Sequence, residues 1–387
     1  MNRSLMRRAR DERGMSLVFV ALGFMAFLAA TTLAIDVGMF MTARSQAQNA
    51  ADAGALAGAV ALVFDNFTDR SPSGPAVQSA LAAATSNDVM SEDVSVTPAD
   101  VTFPNDEAGL PTRVRVDVFR TSDRGNPLAT LMGRFFGVPT VDISATATAE
   151  ASPANAATCV KPWAIPDKWL ENQTAPWDPD IDTFDLYRPN GSPLPDPDVY
   201  RPITAGAAYT GFSPDPAGPD YGMRITLKPG NPHQAISSSH FFPIALPPNT
   251  GAAWYEENIP GCWPGTMQID DVIPVEPGNQ TGPTVSGTQA LIDQDPSAYW
   301  DSARRRVVST STPSPRCVVI PVFDPAVYED SRQHGRQDIQ VANLVGFFIE
   351  SLDGTSVTGR LIPATGLVRG DTSVPGGAYL KSIRLVR

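Results

Sequence analysis

The feature that most constrains this chain is a run of 21 residues without a formal charge, Met15 to Ile35. As a helix rising about 1.5 Å per residue it would reach about 30 Å, the thickness of a bilayer's hydrocarbon core. The flank before it carries Arg3, Arg7, Arg8, Arg10 and Arg13 against Asp11 and Glu12. Basic flanks stay on the cytoplasmic side, so the expected arrangement is a cytoplasmic flank over 1–14, a transmembrane helix over 15–35 and the rest of the chain outside the cytoplasm.

A cleaved secretory signal is the competing reading, with Thr32-Leu33-Ala34 as a small-residue cleavage site. Signal cores are usually about 7–15 residues long, however, and this run is longer. It also continues into an alanine-rich segment with no proline before Pro72. A type IV prepilin leader is a third option, since Gly14 suits maturation after a glycine. That class resembles this chain less at the fifth mature position, where a glutamate is expected and Phe19 stands. A retained anchor is therefore expected.

Beyond the run, Ala43, Ala47, Ala50, Gly54, Ala57 and Ala61 recur at spacings of three and four, one face of a continuing helix. Arg44, Gln48 and Asp52 form a polar line on another face. A small-residue stripe lets a neighbouring backbone approach closely, and Gly54-x-x-x-Gly58 would join two helices within lipid. These residues are candidate helix contacts, either to the chain's own sheet or to a sister subunit. A helix over 76–84, strands near 94–96 and 113–119, a helix over 127–136 and a strand over 138–150 are expected next. Long helix followed by a few strands is the broad plan of a pilin.

Of 37 prolines, seven fall in residues 1–151 and thirty beyond, so a domain junction is placed near 152–155. The second part, 155–387, reads as β-rich with long loops. Its clearest strands are 223–228, 317–323, 339–352, 355–362 and 379–386, with one helix over 285–293. The fold class expected is α+β: a transmembrane, pilin-like helix with a small α+β module (36–151), then a β-rich domain of open topology.

A net charge of −12 argues against a nucleic-acid partner, because phosphate binding needs a basic surface. Three cysteines allow one bridge and one free thiol in an oxidising compartment. Cys317 sits in an apolar RCVVIPV run and reads as buried and free. Cys159 and Cys262, at polar, turn-like sites near Pro162 and Pro260, are the disulfide candidate; the alternative is three plain buried cysteines.

Catalysis finds little support. His233, His240 and His334 lack zinc-ligand spacing, and no nucleophile elbow or phosphate loop occurs. His233 and His240 flank Ser237–Ser239, a polar turn. No enzyme activity, cofactor or small-molecule substrate is expected. Asp178, Asp180, Asp182 and Asp185 could offer oxygen ligands to Ca²⁺, but Thr183 and Pro189 stand where an EF-hand needs glycine and glutamate. A solvated acidic loop is the other reading. Asp142-x-Ser144-x-Thr146 resembles the adhesion motif of von Willebrand A-type domains, yet proline-rich sequence follows and a strand is expected there.

Taken together, residues 8–62 resemble the N-terminal signature of the Tad (Flp) pilus-assembly TadE/TadG-like family. The resemblance rests on Arg13-Gly14, the apolar span, Ile35-Asp36-Val37-Gly38, Gln48-Asn49-Ala50-Ala51-Asp52-Ala53 and Ala55 to Ala59, in that order. Segments 159–169, 278–287, 314–325 and 342–361 are similar to longer members of that group. The resemblance implies a non-catalytic minor pilin or assembly factor, anchored in the bacterial inner membrane with its bulk in the periplasm. Its partners would be membrane lipid and other pilus-assembly or pilin-like subunits. A tethered extracytoplasmic binding protein or adhesin using 155–387 is the alternative.

Overall fold

The computed structural model describes residues 13–64, 69–106, 109, 111–172, 176–188, 190–215, 218–231, 234–278, 280–311, 313–333, 338–370 and 378–386. Within them the chain divides into two units. One takes the chain through Gly58, Val77–Ala149 and Leu385 onward; the other takes Ala59–Ala76 and Glu150–Arg384.

The first unit is built on α1 (Arg13–Phe64), a single helix of 52 residues. Alanine, leucine and methionine favour it, and no proline interrupts it. Helix α2 (Pro75–Thr85) opens on proline, tolerated at a first helical position because that N–H would be unpaired in any case. Then come β1 (Val101–Thr102), β2 (Arg113–Arg120), β3 (Leu128–Ala129), β4 (Thr140–Val141) and β5 (Ile143–Pro153). Strand β2 lies between β1 and β5 and buries Val114, Val116 and Val118. Strands β3 and β4 form a short antiparallel hairpin.

Three local expectations are corrected. The helix over 127–136 is instead β3 followed by a 3-10 turn, Gly133–Phe136, closed by Gly137 in the left-handed region. The strand near 94–96 reduces to one bridge, Ser95 to Phe119, before the Pro98 turn. The strand over 138–150 is broken at Asp142, whose carboxylate accepts hydrogen bonds from Ser122 N and Oγ, each 2.8 Å.

In chain order the second unit holds β6 (Ala156–Thr158), β7 (Trp163–Pro166), β8 (Arg224–Pro229), β9 (His240–Pro243), α3 (Ala252–Glu257), β10 (Thr266–Gln268), β11 (Val272–Pro274) and α4 (Thr281–Asp293). There follow β12 (Tyr299–Asp301), β13 (Arg306–Val308), β14 (Cys317–Phe323), α5 (Pro325–Gln333), β15 (Asp338–Asp353), β16 (Ser356–Ile362), β17 (Ala364–Thr365) and β18 (Leu380–Val386). Six strands close on themselves as β15–β14–β7–β9–β8–β16–β15, a barrel. Strands β14 and β7 run parallel, as do β8 and β9, and the other four pairings are antiparallel. The 16-residue β15 serves three neighbours, pairing with β11 at its start, β14 in its middle and β16 at its end.

Alternation along these strands separates two cores. Trp163, Ile165, Ile225, Leu227, Phe241, Ile320, Val345, Phe347, Val357 and Leu361 form one cluster, drawing on all six strands; this is the barrel interior. Tyr255, Ile259 and Leu291, on or just after α3 and α4, join it. On the opposite face, Phe242, Phe323 and Tyr328 pack ring on ring, with centroids 5.1–5.7 Å apart. The fold class is thus α+β, a long apolar helix with a β-rich barrel unit.

Candidate functional site

Helix α1 changes environment along its length. From Met15 to Ile35 every residue is exposed except Thr32, which is half-buried. Leu17, Phe19, Val20, Phe24, Phe27 and Leu33 present their apolar side chains around the helix. A helix apolar on every side without protein cover is suited to lipid rather than water. Residues 1–12, with most of the basic flank, lie outside the described residues.

Asp36, the first charge after the run, marks the change. It is buried, and its carboxylate accepts backbone N–H groups of Leu131 (3.1 Å), Met132 (3.2 Å) and Gly133 (2.6 Å). These donors lead into the Gly133–Phe136 turn, where unpaired N–H groups point toward the acid. The contact spans nearly a hundred residues of sequence, so no local pattern reveals it. The available signal was the place of Asp36 immediately after the apolar run.

Further along α1, Ala43, Ala47, Ala50, Gly54, Gly58 and Ala61 are buried and Ala57 is half-buried. At Gly54 an added Cβ would meet Ala80 O at 3.0 Å, Ala84 Cβ at 3.0 Å and Val116 Cγ1 at 3.3 Å. The glycine therefore lets α2 and β2 approach α1 within the chain's own module. Gln48 Nε2 donates to Asp52 Oδ1 (2.8 Å) and Thr146 O (3.1 Å), while Arg44 is exposed.

In the second unit Cys159 and Cys262 are joined as a disulfide. Cys317 is free and half-buried, and burial pushes its thiol up to about 12. The calcium candidates Asp178, Asp180, Asp182 and Asp185 share one stretch of loop. Asp178, Asp182 and Asp185 border an open cavity of about 370 Å³ with Glu171, but among the described residues no group of three or more acidic, histidine or cysteine side chains is arranged to hold a metal ion. Their oxygens serve the loop: Asp182 accepts Asp178 N (2.5 Å), Asp178 accepts Asp180 N (2.8 Å) and Asp185 accepts Thr183 Oγ1 (2.7 Å). His240 accepts Ser237 N through Nδ1 at 3.3 Å, a turn bond. His233 and His334 lie outside the described residues. Ser144 and Thr146 lie on β5, with Thr146 Oγ1 donating to Asp117.

Sequence reasoning missed Asp167. It is fully buried after β7, and its carboxylate accepts Tyr209 OH (2.6 Å), Tyr200 OH (2.9 Å), Phe212 N (2.9 Å) and Lys168 N (2.9 Å). Burial outweighs these bonds and raises its pKa to about 6. Lys168 pairs with buried Asp220 at 2.8 Å, and Asn343 Nδ2 reaches Tyr209 OH at 3.2 Å. Four of Asp167's partners are tyrosine hydroxyls or backbone amides, which ties loops to the barrel end and leaves the carboxylate no open side toward a reactant.

An exposed apolar helix joined to a covered small-residue half defines a class: an N-terminally anchored protein carrying an α+β head. Residues 14–61, the described length of α1 almost end to end, match the family model of the Flp pilus-assembly, TadE/G-like proteins. No curated protein and no solved structure matches the chain. The family match and the apolar helix together support a pilus-assembly-related, membrane-anchored protein.

Proposed function

We propose that the chain is a non-catalytic component, minor pilin or assembly factor, of a tight-adherence (Flp) pilus system. In this reading residues 15–35 cross the bacterial inner membrane once, with 1–14 cytoplasmic and the bulk periplasmic. Residues 36–151 act as a pilin-like module and 155–387 as a periplasmic domain that meets other pilus-assembly subunits. The observation that carries it is the coincidence of the family match at 14–61 with a helix whose first half is uncovered and whose second half is packed. The Cys159–Cys262 bond suits an oxidising compartment.

Fractionation with protease accessibility, on intact and osmotically shocked cells, tests the placement. The head should be membrane-associated and cleaved only after shock. Protection after shock would refute it. Deleting 155–387 tests the role: loss of pili supports assembly, whereas intact pili with lost adhesion would support the tethered-adhesin alternative.

A further inference from the structure

The hairpin tip between β3 and β4, residues 131–138, carries four large apolar side chains turned to solvent: Leu131 (48% exposed), Phe135 (71%), Phe136 (68%) and Val138 (50%). We propose that this tip is a second membrane contact, seated in the headgroup boundary of the leaflet from which Asp36 emerges. The proposal rests on the reading above that α1 spans the bilayer.

The tip is a built surface. Thr130 Oγ1 donates to Val138 O (2.6 Å), Thr130 N to Pro139 O (3.0 Å) and Val138 N to Gly133 O (3.0 Å). Gly137 turns the chain at a φ of 82°, which favours glycine. With its backbone closed in this way, the tip cannot fold its rings inward, so they need cover from elsewhere.

Position identifies the cover. Asp36 is one residue beyond the apolar run and holds Leu131, Met132 and Gly133 by their N–H groups. Phe135 and Phe136 lie two and three residues past Gly133, within about 10 Å of chain reach. The interfacial layer on each side of a bilayer is roughly 5–8 Å deep, so the rings are tethered at the depth of that layer. On α1 itself, Leu33, Ile35 and Val37, on either side of Asp36, also expose apolar side chains. Thr32, a turn before Asp36 on the same face, is half-covered where the rest of the run is exposed.

Charge agrees with a lipid surface. Arg134 is the sole formal charge between Gly125 and Val141, in a chain of net charge −12. Its guanidinium lies 5.1 Å from the Phe135 ring centroid, a cation beside aromatic groups that suits anionic headgroups.

The test uses the full chain in nanodiscs containing anionic lipid. A single environment-sensitive fluorophore is placed at Phe136→Cys, or at Phe24→Cys as a mid-span reference, each with Cys317→Ser. The Phe24 label should lose emission to lipids bearing a deep nitroxide, and the Phe136 label to lipids bearing a shallow one. Quenching at Phe24 without quenching at Phe136 overturns the tip contact and leaves the spanning reading intact. Quenching at neither site overturns the spanning reading and the tip contact with it. A blue-shifted Phe136 label that no lipid quencher reaches would mean that a second copy or another protein covers the tip, and overturns it too. Leu131→Ser with Phe135→Ser, both exposed, should reduce shallow quenching at Phe136 and spare Phe24; unchanged quenching would also overturn it.

Discussion

Asp167 and Gly54 show how single side chains act in this chain. Free aspartate titrates near about 3.9, and folding raises Asp167 to about 6. The folded state therefore holds this proton more tightly than the unfolded one. Its contribution to stability is fully present below about pH 4 and is lost as pH rises through about 6. A shift of this size is worth roughly 2–3 kcal/mol. Urea melts in detergent should show wild type losing about that much relative to Asp167→Asn between about pH 4 and about pH 7. A difference independent of pH would refute the raised pKa. At Gly54 the neighbours at 3.0 Å are a backbone oxygen and a methyl group on α2, which cannot move aside cheaply. Gly54→Leu should destabilise the module by about 1–3 kcal/mol or more through overpacking, read as a lower melting temperature. Unchanged stability would mean that the stripe is free to meet another subunit.

At the scale of elements, helices and strands with a strong period were legible. The alternation of Val114, Val116 and Val118 marks β2, and the apolar run from Cys317 marks β14. The 127–136 segment was not legible, because its helix-like composition is overridden by Gly137 and by a carboxylate far away in sequence, Asp36. The disulfide also acts on elements. Cys159 follows β6 and Cys262 precedes β10, two strands paired from Thr158 to Thr266. With the cysteines at a sequence separation of 103, the chain-entropy model gives about 4–5 kcal/mol for the closure. Replacing both by serine should lower the midpoint of unfolding accordingly; equal midpoints would show that the β6–β10 ladder holds without the bridge. Cys317 should not substitute for either partner, since a thiol pushed up to about 12 is seldom a thiolate.

For the whole molecule, the apolar run and the heads separate cleanly in environment, since Met15 to Ile35 is almost entirely uncovered. A chain lacking residues 1–35, made in an oxidising compartment, should be soluble and keep its disulfide and cooperative unfolding. Aggregation of that chain would mean that the run supports the fold. The apolar run, the helix that continues it and the family resemblance were all in the sequence, because apolar run length, helical spacing and motif order are local properties. The barrel was not. Its closure joins β16 to β8, and its parallel contact of β14 with β7 links distant strands, across separations that no periodicity encodes. The same reason hid the Asp167 hydrogen bonds and the Asp36 tether. Each is a contact between distant segments, so only the tertiary structure decided it.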